Sequence, residues 1–137
     1  MSFLLDTNVV SELRKGKRMQ SAVSDWFATV GDEELFLSVL VVGELRQGIE
    51  QLRGRDSVSA ARLDQWLHGL VDAYAGRILS IDIAVAEQWG KLNVPKMLPA
   101  IDGLLAATVI VHDMTLATRN TKDVARSGAR LVNPFEG

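Results

Sequence analysis

Two short apolar runs, Phe3-Leu4-Leu5 near one end of the chain and Leu116-Ala117 near the other, each stop at polar residues and pass into a helical pattern. The first run gives way to Asp6-Thr7-Asn8 and the second to Thr118-Arg119-Asn120. An apolar run of this kind reads as a buried parallel strand entering a βα turn. Parallel strands need crossover connections, so the chain between the two runs must alternate strands with helices. In open parallel sheets the ligand crevice lies beyond the carboxyl ends of the strands. The two acidic segments are therefore expected to face one mouth from distant parts of the sequence.

The intervening sequence supplies the alternation. Residues 3–6 read as the first strand and Val9 to Arg14 as a short helix. Ala22 to Val30 reads as a second helix carrying Val23, Trp26, Phe27 and Val30 at helical spacing, with Gly16 and Gly31 as punctuation. Leu35 to Leu37 is a second strand, and Ser38 is placed to cap a helix running to Leu52. Leu63, Leu67, Leu70 and Tyr74 mark an amphipathic helix over Val58 to Tyr74, stopped by Gly76. Ile78 to Ile81 is a third strand. Asp82 caps a helix with Val85, Trp89 and Leu92 on one stripe, and Pro95 and Pro99 separate it from a helix over Ala100 to His112. That helix is apolar nearly all round, which predicts burial. Thr115 to Thr118, Thr121 to Ser127 and Ala129 to Val132 follow as strand, short helix and strand, with Gly128 as a C-cap. The expected fold is a three-layer α/β/α sandwich around a central, mostly parallel sheet of about five strands.

At 137 residues the chain fits one domain, taken as residues 1–137. A hydrophobic content of 47% and a mean hydropathy of +0.12 are high for a small soluble monomer, so an oligomer is expected. The chain has no cysteine, which excludes disulfides, thiolate catalysis and Cys-ligated zinc. Its longest charge-free apolar stretches, Leu35 to Gly43 and Gly103 to Val111, fall short of the roughly 18 residues of a membrane span. Residues 1–10 lack the basic lead-in and apolar core of a signal segment, so a cytoplasmic location is expected. A net charge of −2 excludes nucleic-acid binding by overall charge alone. Two local basic groups, Arg14, Lys15, Lys17 and Arg18, then Arg46, Arg53 and Arg55, are candidates for basic rims around an acidic centre.

Four carboxylates stand where a core or strand end does not ordinarily want them: Asp6, Glu44, Asp102 and Asp123. Each has a local role open to it. Asp6 and Asp123 suit helix starts, Asp102 complements the dipole of the most apolar helix, and Glu44 lies at the edge of the stripe formed by Val41, Leu45, Ile49 and Leu52. Taken together they carry more. Carboxylates brought close by a parallel sheet oppose one another's ionisation unless a cation joins them. An all-oxygen set without Cys or a nearby His favours Mg²⁺, with Mn²⁺ as the other choice, over zinc. Such a site suits phosphodiester hydrolysis by a metal-activated water. Thr7, Asn8, Ser38, Thr118 and Asn120 are candidates for a supporting hydrogen-bonded shell, or for local turn and cap bonds.

Four segments together resemble the PIN domain, of the kind found as VapC-type toxins, in the style of the FitB-like branch. They are Leu4-Leu5-Asp6-Thr7-Asn8, Ser38-Val39-Leu40-Val41-Val42-Gly43-Glu44-Leu45, Asp102-Gly103-Leu104-Leu105-Ala106-Ala107-Thr108, and Leu116-Ala117-Thr118-Arg119-Asn120-Thr121-Lys122-Asp123. The resemblance implies a metal-dependent endoribonuclease with Asp6, Glu44, Asp102 and Asp123 as catalytic and metal-holding acids, and with Thr118 or Asn120 assisting. It also implies a homodimer and an RNA substrate. A cognate antitoxin, in complexes of higher order, would block the acidic mouth and supply the only route to DNA. Two positions depart from the family pattern: Gly103, where a larger residue is usual, and Val124, where an aromatic is more common.

Two other classes share parts of this pattern. A haloacid-dehalogenase-like phosphohydrolase would use Asp6 as a covalent nucleophile, but it needs an acid two residues on, where this chain has the amide Asn8. A Ser-His-Asp hydrolase lacks its Gly-x-Ser-x-Gly turn. A non-catalytic α/β module would use the acids to bind a basic peptide.

Overall fold

The apolar runs become five short strands: β1 (Phe3–Leu5), β2 (Leu35–Ser38), β3 (Ile78–Leu79), β4 (Thr115–Ala117) and β5 (Arg130–Val132). The computed structural model describes residues 1–136. All strand pairs are parallel, in the order β3-β2-β1-β4-β5, and Leu4 lies in register with Phe36 on one side and Leu116 on the other. The chain thus steps outward from β1 to β3, then crosses back to β4 and steps outward the other way. Right-handed crossovers place the connections of these two halves on opposite faces. On one face lie α1 (Thr7–Leu13), α2 (Ser21–Ala28), α3 (Val39–Arg53) and α4 (Ser57–Ala73); on the other lie α5 (Ile83–Leu92), α6 (Ala100–His112) and α7 (Thr121–Val124). The helix contacts agree, with α1 against α2 and α3, α3 against α4, α5 against α6, and α6 against α7. This is the expected α/β/α sandwich, with a fully parallel sheet.

The core follows from the residue pattern. Leu4, Leu5, Leu37, Leu116 and Ala117 are buried in the sheet, and Val9, Val10, Val41, Leu105 and Val109 pack on it from the helices. A second apolar cluster around Ile49, Ala60 and Leu67 joins α3 to α4. As its composition predicts, α6 is buried along Leu105 to Val109, and the Thr108 hydroxyl donates to Leu104 O at 2.8 Å instead of remaining unpaired. Among the described residues no helix is long and apolar enough to cross a membrane.

Several boundaries differ from the sequence expectation for local reasons. The first strand ends at Leu5, because Asp6 accepts from the Thr7 backbone N–H and so starts α1 two residues early. The third strand is two residues long; Asp82, accepting from Val85 N at 3.0 Å, starts α5 and shortens it. Two 3-10 turns, Gly16–Arg18 and Asp32–Glu34, occupy segments without apolar periodicity. The segment after β4 is a four-residue helix followed by a 3-10 turn over Ala125–Ser127. Gly128, at φ +79°, ends that turn in a left-handed conformation that suits glycine.

Candidate active site

Strand order reverses between β1 and β4, and in an open parallel sheet this is where a crevice forms at the carboxyl ends. The residues that leave those two strands are Asp6 and Thr118. Asp6 is 5% exposed. Its Oδ1 accepts from Thr7 N at 2.7 Å, and its Oδ2 accepts from the Thr118 hydroxyl at 2.7 Å and from Asn8 Nδ2 at 3.4 Å. Thr118, 1% exposed, is satisfied in turn, because its Oγ1 accepts from Asn120 N at 3.0 Å. The acid is thereby fixed to both strands. Asn8 extends the brace by accepting from Arg119 N at 3.1 Å.

The same turn reaches the third element of the site. Glu44 lies partly exposed on α3, at the edge of the buried stripe as its spacing predicts. Its Oε1 accepts from the Thr7 hydroxyl at 2.5 Å, a short charge-assisted bond across 37 positions of sequence. Thr7 therefore ties Glu44 to the N-terminus of α1.

Asp102, half-buried in the first turn of α6, faces this pair from the opposite layer. Burial, then the charges of Asp6, Asp123 and Glu44 in that order, push its pKa up to about 6. The charges of the other three acids thus all act on Asp102 in the same direction. Asp123 is exposed at the rim, in α7. Among the described residues none of the four takes part in a salt bridge, so the accumulated negative charge has no internal counterion. Nor, among the described residues, do three such side chains approach closely enough to enclose an ion as they stand. The chemistry of the set, carboxylates with no imidazole, thiolate or ammonium among them, fits a hard divalent cation. Closure onto one requires side-chain movement by the less buried members.

The Gly103 departure has a packing cause. A Cβ at that position would lie 3.3 Å from Leu98 Cβ and from Cδ1 and Nε1 of Trp89. The Trp89 indole occupies the room that a larger residue after Asp102 would fill, and its buried Nε1 has no hydrogen-bond partner among the described residues.

Other candidates fall outside this constellation. Ser38 is fully buried, and its hydroxyl accepts from Leu40 N at 3.1 Å, which makes it the cap of α3. Asn120 is exposed and its side chain makes no cap bond, so only its backbone N–H, through Thr118, supports Asp6. The second basic group is largely neutralised. Arg46 and Arg53 each pair with both Glu50 and Asp64 at 2.8 to 3.0 Å, clamping α3 to α4. The Arg46 bond, outweighing burial, draws the Asp64 pKa down to about 2. In the first group Lys15 pairs with Glu12 at 2.9 Å. Glu12 was no sequence candidate; it is 5% exposed, and it also accepts from Gln20 N at 2.8 Å, which ties α1 to the segment before α2. Its acid is held below the usual range, chiefly by the Lys15 hydrogen bond.

The Thr118 brace makes a prediction. Thr118→Val removes a buried donor to a carboxylate and should lower stability by about 1–3 kcal/mol, whereas Thr118→Ser should restore most of it. Urea unfolding of the three proteins measures this, and equal midpoints for Val and Thr would show that the bond contributes nothing.

Comparison with known proteins agrees with this geometry. Residues 3–127 match the PIN domain family. The VapC ribonuclease Y4jK of Sinorhizobium fredii is 33% identical over 140 residues, covering 97% of this chain and 97% of that protein. Toxin FitB of Neisseria gonorrhoeae is 33% identical over 139 residues, covering 96% of this chain and 97% of that one. The crystal structure of FitAcB from Neisseria gonorrhoeae superposes with a TM-score of 0.89 at 31% identity, over 98% of this chain and 99% of that chain. A parallel sheet with acids gathered at its switch point, and a match that runs through nearly the whole chain, have one reading: this chain belongs to the PIN domain family.

Proposed function

We propose that this protein is an endoribonuclease toxin that hydrolyses RNA phosphodiester bonds with a divalent cation, Mg²⁺ or Mn²⁺, and is held inactive by a cognate antitoxin. The observation that supports the reading is the buried carboxylate of Asp6 at the switch point, held by Thr7 and Thr118, with Glu44 tied to the same turn through Thr7 and Asp102 raised by the charges of Asp6, Asp123 and Glu44. The names of its relatives, a VapC ribonuclease and a toxin, support the choice of RNA and of a toxin. Asp6, Glu44, Asp102 and Asp123 are the residues that would hold the ion. When bound, a divalent cation acidifies a water and neutralises charge developing on the phosphate in an in-line displacement.

The chain's own groups have separable tasks in this reading. Asp6 is the rigid member, held on both oxygens, and sets the position of the reacting phosphate relative to the sheet. Thr118 and Asn8 fix the orientation of that carboxylate, and Thr7 does the same for Glu44. Asp102, with a pKa near neutrality, is the acid most easily switched between protonated and charged forms. The fixing of Asp6 argues against its use as a covalent nucleophile. Asn8, an amide bonded to Asp6 and Arg119, has no proton to supply to a leaving group. An antitoxin would satisfy the same charge deficit with a cationic side chain, and a homodimer bound to it would reach DNA only through that partner.

Purified protein incubated with a mixed RNA pool tests the reading directly. Mg²⁺ or Mn²⁺ should yield discrete fragments and a chelator should preserve the RNA. An intact pool under every divalent condition rules the ribonuclease out and leaves a peptide-binding module.

A further inference from the structure

The four acids are held in two different ways. Asp6 and Glu44 are tied down by hydrogen bonds from Thr7 and Thr118, whereas Asp102 meets burial and like charge without such a bond and Asp123 is exposed at the rim. The backbone that carries these two must therefore set the gap between them. For Asp102 that backbone is weakly specified by its own sequence. Helix α6 starts at Pro99 with no side-chain cap, after a loop, 93–99, in which Leu98 is the one buried residue. An arginine from the Asp123 segment holds this loop. The Arg126 guanidinium donates from Nη1 to Leu92 O, at the end of α5, at 3.3 Å, and from Nη2 to Lys96 O. Its own base is fixed to the core. Arg126 stands in the 3-10 turn directly after α7, three positions from Asp123, between Val124 and Ser127, which are both buried, and the Ser127 hydroxyl donates to Val124 O at 2.6 Å. The loop passes the constraint on. Asn93 Oδ1 accepts from Leu98 N at 3.1 Å, and Leu98 and Trp89 close on Gly103, the residue after Asp102.

We propose that Arg126 is a positioning residue of the acid site: its fork across two carbonyls of the α5–α6 connection sets the separation of Asp102 from Asp123, and with it the size of ion that the pair accepts. The inference rests on the metal-dependent reading above and deepens it. A guanidinium suits the task because its planar donors reach two acceptors at once in a fixed geometry, where an ammonium is a single point of attachment. Its charge by itself works against the site, since a cation near carboxylates opposes a second cation. Among the described residues Arg126 enters no salt bridge, so its hydrogen bonds serve the loop alone. A gap held narrow matters most for a small ion. Mg²⁺ demands near-octahedral oxygens at about 2.1 Å, while Ca²⁺ accepts about 2.3–2.6 Å in looser arrangements. Loosening the gap therefore costs Mg²⁺ more than Ca²⁺.

The test is ion binding by the whole protein without RNA, with Mn²⁺ followed by electron paramagnetic resonance and with Mg²⁺ and Ca²⁺ as the competitors that displace it. Arg126→Ala should weaken Mg²⁺ binding about 10-fold, the size expected when a group that orients a ligand is removed, and Ca²⁺ binding by no more than about threefold. Charge alone predicts the opposite sign, because removing one cation tightens the binding of another. Arg126→Lys keeps the charge and loses the fork, so it should lose Mg²⁺ affinity in the same way. With no ion present, the Leu98 amide should exchange with solvent faster in both variants, and the Asp6 amide, which donates to Ala117 O at 2.9 Å, should exchange as in the parent. Arg126 is exposed, so neither change opens the core; should Arg126→Ala fail to fold, Arg126→Lys carries the same two readings. Mg²⁺ affinity in Arg126→Ala equal to or tighter than the parent's overturns the inference, as does parent-like binding by Arg126→Lys. So does an equal loss of Mg²⁺ and Ca²⁺, which would make Arg126 a support of the fold at large. Each of these outcomes leaves the divalent-ion reading standing, because the parent binds Mn²⁺. A parent that binds no Mn²⁺ removes that reading and this inference together.

Discussion

Asp6→Asn gives a folded protein that no longer cuts RNA, with a rate lowered by at least about 1000-fold. The amide keeps an acceptor oxygen for the Thr7 N–H, and Asn caps a helix about as well as Asp, so α1 still starts in place. Size and burial are unchanged. What disappears is one negative charge from the most rigid member of the acid set. A divalent ion contributes several kcal/mol to phosphoryl chemistry, and each 1.36 kcal/mol is a factor of ten in rate. Loss of about 4 kcal/mol therefore corresponds to roughly a thousandfold. Circular dichroism melting, set beside single-turnover cleavage with Mg²⁺, separates folding from chemistry. Asp6→Asn protein that cleaves within tenfold of the parent would remove Asp6 from the reaction.

Asp102→Asn should also abolish cleavage, yet make the cation-free protein more stable. The folded pKa of about 6 lies above the ordinary 3.8 of the unfolded chain, so the folded state binds more protons between those values, and stability from this group falls as pH rises through the window. Well below pH 3.8 the acid is protonated in both states and the penalty vanishes. The full shift of about two units corresponds to ~3 kcal/mol, and water screening at a half-buried side chain brings this to about 1–2 kcal/mol. The neutral amide avoids that penalty at every pH. The difference in unfolding free energy between variant and parent should therefore be small by about pH 3 and reach its full value above pH 7. Taking a difference cancels acids with lowered pKa values, such as Asp64, whose stabilisation is lost only towards pH 2. Millimolar Mg²⁺ should raise the melting temperature of the parent and leave the variant nearly unchanged. A pH-independent difference would mean that Asp102 is not held in the field of the other acids.

The meeting of Asp6 with the Thr118 segment was legible in the sequence, and the reason is topological. A parallel sheet offers few places where polar residues after a strand can go, so Asp6 and the Thr118–Asp123 segment were bound to share an edge. That β1 and β4 are direct neighbours was not legible, because strand order depends on which crossovers the chain takes. The PIN resemblance, drawn from four segments, agrees with the family match over residues 3–127. The basic rims were read less well. Charge on Arg46 and Arg53 looks available in a linear sequence, but the return of α4 brings Asp64 against both. The tie between Thr7 and Glu44 spans 37 positions and leaves no local trace. The fit of Gly103 to Trp89 likewise depends on how α5 packs on α6. Asn8 looked like one more turn residue, and only the packed turn shows it bridging Asp6 to Arg119.

Arg119 gives that bridge a further role. Its backbone N–H is held by Asn8, and its guanidinium lies 3.9 Å from the centre of the Phe135 ring, so the turn after β4 is gripped at both ends of a single residue. One lip of the cleft is thus latched by the aromatic residue of the turn that follows β5. That edge of the crevice is thereby held to both the first turn of α1 and the C-terminal segment of the chain.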